Sequence, residues 1–183
     1  MTRQVRIAEV ERKTPELLLP DAESTAETVI NQAMEFCARK MRLEDHQAVL
    51  KHLQQRDATS YKYCCYGIAR HVGDSLGTLD QNVKAVYTVD YDATPEDICF
   101  AREEQMTLIH LIVWVERKTS ALQSLVEGLD RALAGAFSRL LGLDRLKYLL
   151  DVQIVDDADV EKRVGYGAMF SSLYHRPIKV WER

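Results

Sequence analysis

Between Met106 and Val155 the chain reads MTLIHLIVWVERKTSALQSLVEGLDRALAGAFSRLLGLDRLKYLLDVQIV, and the three parts of this stretch decide the fold. The first part, as far as Val115, is apolar at nearly every position. A run of that length and β-branched content reads as a central strand covered on both faces. From Thr119 or Ser120, Leu122, Leu125, Val126, Leu129, Leu133, Phe137 and Leu140 recur at helical spacing, and Gly142 supplies the stop. The last part alternates, with Tyr148, Leu150, Val152 and Ile154 on one face. Strand, long helix, strand predicts two parallel strands joined by a crossover.

Working outward, VKAVYTVDYD (Val83 to Asp92) has period two. The strict reading puts Val83, Ala85, Tyr87, Val89 and Tyr91 on one face, and this strand pairs antiparallel with the apolar one. Thr94 and Asp97 could cap a short helical turn in between. Beyond Val155, Asp156 to Glu161 reads as a helix start with acids near the positive end of its dipole. Pro177 then opens a last strand, IKVW.

Upstream, the period is 3.6. A helix starts at Asp21 or Ser24 and runs to about Arg42, with Val29, Ala33, Phe36, Cys37 and Met41 inward. A second covers the stretch from Leu43 to Asp57. The third, SYKYCCYGIARHVGDSLG (Ser60 to Gly77), carries Tyr61, Cys64, Cys65, Ile68, Ala69, Val72 and Leu76 as one stripe. Its adjacent cysteines read as small hydrophobes in that stripe rather than as metal ligands or a reactive pair. The expected fold is α+β: a mixed sheet of about four strands with a long crossover helix, preceded by about three helices. The chain, 1–183, is read as a single domain, with a subdivision into a helical segment 1–78 and an α/β segment 79–183 as the alternative.

Hydrophobic residues make up 46% and charged residues 28%, with a formal net charge of −4. This is globular usage, and it argues against a dedicated nucleic-acid binder, which would carry a basic face. No apolar run is long enough to cross a bilayer. The charged amino-terminal stretch and four cysteines without a C-x-x-C pair or a disulfide framework point to the cytoplasm.

Three features bear on function. Asp90 and Asp92 project from one strand face, the way D-x-D pairs hold divalent cations, and His110 on the neighbouring strand is the third candidate ligand or a base. RVGYGAMFSSLYHRP (Arg163 to Pro177) offers Arg163, Gly165, Gly167, Ser171, Ser172, His175 and Arg176 as a flexible polar segment for a small ligand or an anion. Gly128, Ala132 and Gly135 on the long helix would allow close approach of a neighbour, within the chain or in a homo-oligomer. No phosphate-loop or nucleophile-elbow signature is complete. The expectation is therefore a non-catalytic cytoplasmic module that binds a small ligand or assembles as an oligomer. The alternative is a divalent-metal-dependent enzyme acting on phosphoesters or nucleotides.

Overall fold

A computed structural model describes residues 21–89, 109–144, 146–172 and 176–183. Helix α1 (Ala22–Met41) begins at Asp21, whose carboxylate accepts from the Glu23 N–H, and ends at Arg42 in the left-handed region, φ 57°. Helix α2 (His46–Gln54) is capped by Asp45 and is shorter than its hydrophobic pattern suggests. Helix α3 (Ala58–Leu79) is capped by Asp57. Strand β1 (Val83–Thr88) and strand β2 (Ile109–Val115) follow. Helix α4 (Ser120–Leu141) starts on the Thr119 side chain and stops at Gly142, φ 64°. Strand β3 (Leu150–Asp156), the short helix α5 (Asp157–Lys162), a 3-10 turn (Gly165–Ser171) and strand β4 (Ile178–Glu182) complete the order.

The sheet has four strands in the order β3-β2-β1-β4. β1 is antiparallel to both β2 and β4, and β2 is parallel to β3. The fold is thus α+β, a mixed sheet preceded by helices, as the periodicities indicate. Helices α3 and α4 lie on one face of the sheet, and α1 packs across the two of them. Between them sits one continuous apolar core that includes Val29, Ile68, Val72, Leu111, Val113, Leu133 and Phe137. Fully burying each large side chain of this kind contributes about 1.5–3 kcal/mol.

Three local outcomes differ from the sequence reading. First, a β-bulge between Val83 and Ala85 breaks the strict alternation of β1. An extra residue on one strand re-aims every side chain after it. Val83 and Val86 therefore join the helix-side core, while Ala85 and Tyr87 stand opposite Trp114 and Ile112 on the other face. Second, among the described residues the glycines of α4 have no close neighbour from another element. A Cβ on Gly128 would meet nothing within 4 Å, and one on Gly135 would meet only the Arg139 guanidinium. The close approaches belong to α3 instead. Gly67 lies against Ala33 of α1, and Gly73 and Gly77 form a groove for the Trp181 indole of β4, where any Cβ would collide. Third, Tyr148 does not share the buried face of β3; it precedes the strand and is 52% exposed.

Buried polar groups have structural duties. Asp130 of α4 accepts from the Leu149 and Leu150 N–H groups, both at 2.8 Å, and so anchors the start of β3. Ser138 donates to the Ala134 carbonyl and accepts from the Leu146 N–H. Each satisfies a backbone group that would otherwise be buried without a partner.

Candidate functional site

The face of the sheet away from the long helices has a different character. Period two along β2 sends Ile109, Leu111, Val113 and Val115 into the core and His110, Ile112 and Trp114 to this second face. The parallel register sets His110 level with Asp151 of β3. Their side chains meet, His110 Nδ1 lying 2.8 Å from Asp151 Oδ2, each side chain about one-third exposed. The other carboxylate oxygen of Asp151 accepts from Gln153 Nε2 at 3.0 Å. An ionised carboxylate has no proton to give, so Nδ1 is the donor and the neutral imidazole carries its lone pair on Nε2. That arrangement suits an imidazole serving as hydrogen-bond acceptor, base or metal ligand.

An aromatic patch adjoins this pair. Phe170, from the 3-10 turn, lies edge-on to Tyr87 with ring centroids 4.8 Å apart and rests against Trp114 at 5.5 Å. Beneath it Ile112, Ala85 and Val155 are buried yet belong to no part of the helix-side core. Asp157, the first residue of α5, accepts from Lys84 Nζ and from the Trp114 indole N–H at 2.8 Å. The Lys84 contact, with the indole adding to it, holds the Asp157 carboxyl below its ordinary range. Partial burial pushes the Tyr87 phenol up. Asp156 caps α5 through a reciprocal bond with Asp159, which accounts for the acidic run as helix-starting chemistry.

The sequence-derived candidates fare as follows. His110 is on the sheet face just described. Asp90 and Asp92 lie outside the described residues, as does the expected helical turn at Thr94. The last described residue before them, Val89, donates its N–H to the His110 carbonyl, so the chain leaves β1 beside this histidine. Among the described residues no cluster of three or more metal-ligating side chains forms.

In the carboxy-terminal segment, Arg163 adopts the left-handed conformation that ends α5, and Gly165 is also left-handed. Gly167 is pressed against the Asp159 carbonyl group, a contact only glycine permits. Ser171 donates to the Ala168 carbonyl, and Arg176 donates to that of Ser172. His175 lies outside the described residues. Ser171 and Arg176 thus meet the segment's own backbone, and its apolar Phe170 reaches the sheet face.

Among the described residues, the thiols of Cys37 and Cys64 are buried and that of Cys65 is partly so. Burial pushes Cys37 up to about 11 and Cys65 up to about 12, and it raises Cys64 as well. They remain protonated at neutral pH and act as packing groups. His71 and Asp74 pair at 3.0 Å on the flank of α3.

Asp151 and Gln153 are the residues that sequence reasoning missed. Their signal is the alternation of β3 itself: the polar positions of DVQIV, in a strand parallel to one carrying a histidine, identify the face that the helices leave uncovered. What the fold and this patch define is a mixed-sheet α+β protein with a polar and aromatic site on the sheet face opposite its long helices. Comparison with known proteins returns no family model, curated protein or solved structure that matches the chain.

Proposed function

We propose that this protein is a cytoplasmic, non-catalytic module that binds a small ligand on the outer sheet face or assembles with copies of itself. The observation that carries the ligand reading is the His110–Asp151–Gln153 chain. Polar side chains aligned on adjacent strands and flanked by Trp114, Tyr87 and Phe170 supply the mixture small-molecule sites use: apolar surface with a few placed polar groups. The buried thiols of Cys37 and Cys64 and the absence, among the described residues, of a helix long and apolar enough to cross a membrane are compatible with a reducing compartment. In this reading Arg163, Gly165, Gly167, Ser171, Ser172, His175 and Arg176 would contribute to the same site, supported by Phe170 of the Gly165–Ser171 turn reaching the sheet face.

A second reading, a divalent-metal-dependent enzyme acting on phosphoesters or nucleotides, is favoured by one observation. A histidine whose Nδ1–H is held by a carboxylate is the usual form of a metal-binding imidazole. Asp90, Asp92 and His110 would then share the cation.

The deciding experiment is thermal unfolding of the metal-free protein against divalent ions, nucleotides and small anions, in parallel with His110→Ala and the double variant Asp90→Asn/Asp92→Asn. A ligand at one hundred times its Kd stabilises by about 2.7 kcal/mol. Stabilisation by an organic ligand that is lost in His110→Ala, without turnover, supports the module. Metal-dependent stabilisation lost in both variants supports the enzyme. No shift with any compound removes the ligand reading.

A further inference from the structure

The two edges of the sheet are built differently. β4 is a guarded edge. Pro177 precedes it, Lys179 and Glu182 form an exposed ion pair along it, and its register with β1 slips between Val86 and Tyr87. Such features discourage pairing with another chain. β3 has none of them. Its seven residues, LDVQIVD, contain neither lysine nor proline, and its register with β2 runs unbroken from Leu150 to Asp156.

The ladder dictates what this edge offers. Ile109 donates its N–H to the Leu149 carbonyl, and in a parallel pair the strand's inward groups then recur every second residue. Asp151, Gln153 and Val155 therefore turn their amides toward β2, while the N–H and C=O groups of Val152 and Ile154 face the open side. The Leu150 N–H is already held by Asp130, which ends the run. The side chains of Val152 and Ile154 are half-buried and form, with Val126, the apolar floor of a cleft of about 280 Å³ beside α4. Lys118, Thr119 and Glu127 form part of its polar rim.

We propose that β3 is the seam of a two-fold homodimer in which two copies pair their β3 strands antiparallel about Val152 and so extend the sheet across both molecules. This rests on the assembly half of the reading above and is independent of the ligand half. The strand's own sequence selects a second copy as the occupant. Centred on Val152, the pairing sets Val152 against Val152 and Leu150 against Ile154 on the helix side, and Asp151 against Gln153 on the outer side. Apolar residues meet apolar ones, no two carboxylates stand opposite, and Asp151 faces an amide. A shift of one residue would set Leu150 against Asp156 and Asp151 against Val155, burying carboxylates on hydrocarbon. The main-chain bonds would run both ways between the Val152 residues and from each Ile154 N–H to the Leu150 carbonyl of the other copy.

The antiparallel sense also matches charge. Lys147 stands at the start of the strand, and Asp156, Asp157, Asp159 and Glu161 stand at its end. Asp157 and Asp159 are partly neutralised by Lys84 and Lys118. Pairing brings the lysine of each copy to the acidic end of the other. Tyr148, the most exposed large hydrophobic side chain described, gains cover at the same place.

The test uses the full chain at high micromolar concentration. Light scattering after size exclusion should give twice the chain mass for the wild type and the chain mass for Val152→Lys, with unchanged far-ultraviolet dichroism. Val152→Cys should form a covalent dimer under mild oxidation, because directly paired antiparallel residues sit about 5.5 Å apart at Cα, within disulfide reach. Tyr148→Cys, which faces no copy of itself, should cross-link no more than the wild type. If Val152→Lys fails to fold, the Val152→Cys cross-link decides alone. A wild-type monomer overturns both this inference and the assembly reading. An oligomer that survives Val152→Lys, with no excess cross-link at position 152, overturns the β3 seam and leaves assembly standing on another surface.

Discussion

The two faces of this sheet obey different rules. On the helix side, Val83, Val86, Leu111, Val113 and Val115 meet α3 and α4 in a dense apolar layer, and close contacts are tuned by glycines. Polar groups enter only where they satisfy backbone, as Asp130 and Ser138 do. On the other side a small apolar centre at Ile112, Ala85 and Val155 is accompanied by polar and aromatic groups: an imidazole paired with a carboxylate, an amide, two large aromatic rings and a phenol. The first face resembles the interior of any stable domain. The second mixes polar and aromatic groups in a way a core does not, and substitutions should separate the two.

The largest effect is expected deep on the helix side. Phe137, 1% exposed, lies in the carboxy-terminal third of the α4 stripe. Phe137→Ala should cost about 3–5 kcal/mol through lost burial and a residual cavity, measured by urea unfolding. A cost below about 1 kcal/mol would mean that the layer between α4 and the sheet is loosely packed. Next comes Gly77→Ala, whose new methyl would collide with the Trp181 indole ring and cannot be relieved by a flexible side chain. Overpacking of this kind costs about 1–3 kcal/mol. The double variant Gly77→Ala/Trp181→Leu should recover part of that loss. Failure to recover would show that the groove between α3 and β4 is not what requires glycine.

A smaller effect is expected where a helix cap titrates. The Ser60 hydroxyl, at 2.6 Å, is the main group holding the Asp57 carboxyl below its ordinary value, with the Ser60 N–H and His52 adding to it. A carboxyl whose folded pKa is depressed contributes stability that is fully present above the unfolded pKa, about 4, and is lost as pH falls through the folded pKa. Asp57→Asn keeps a capping oxygen but loses this titration. The wild-type advantage over Asp57→Asn should therefore be constant above about pH 5 and shrink below about pH 4. An advantage unchanged at acid pH would place the benefit in shape rather than charge.

How much of this was legible differs between the faces for a physical reason. Helix α4, from its Thr119 cap to Gly142, and the parallel β2–α4–β3 unit follow from periodicity, because burial of one stripe leaves its spacing in the sequence. The bulge at Val83 to Ala85 leaves no such trace: VKAV alternates equally well without it. The glycine groove of α3 was not foreseen for a related reason. Gly128, Ala132 and Gly135 and the pair Gly73 and Gly77 have similar spacing, and only the path of β4 reveals which of them has a neighbour. His110 was legible as a polar residue in an apolar strand, but its partner was not. Asp151 lies 41 residues away, and the contact depends on the parallel register rather than on any local pattern.

The finest test of the comparison is Asp151→Asn, where the expected effect on stability is smallest. The carboxylate and imidazole are each about one-third exposed, and solvent screens such a pair to about 0–1 kcal/mol. Asparagine keeps the shape and can offer its one oxygen to the His110 Nδ1–H while its NH2 donates to the oxygen of a flipped Gln153 amide, so the loss should stay within about 0.5 kcal/mol. What changes is the imidazole's hydrogen bonding: without the carboxylate its Nδ1–H tautomer is less strongly enforced, so ligand-induced stabilisation that depends on it should weaken. A structural pair would show the converse, a clear loss of stability on unfolding with its cost concentrated in the folded β2–β3 ladder. The functional reading therefore requires a dissociation: near-native unfolding together with weakened ligand-induced stabilisation. If Asp151→Asn instead unfolds as readily as Gly77→Ala, the second face is a core in its own right, and His110 belongs to the packing rather than to a site.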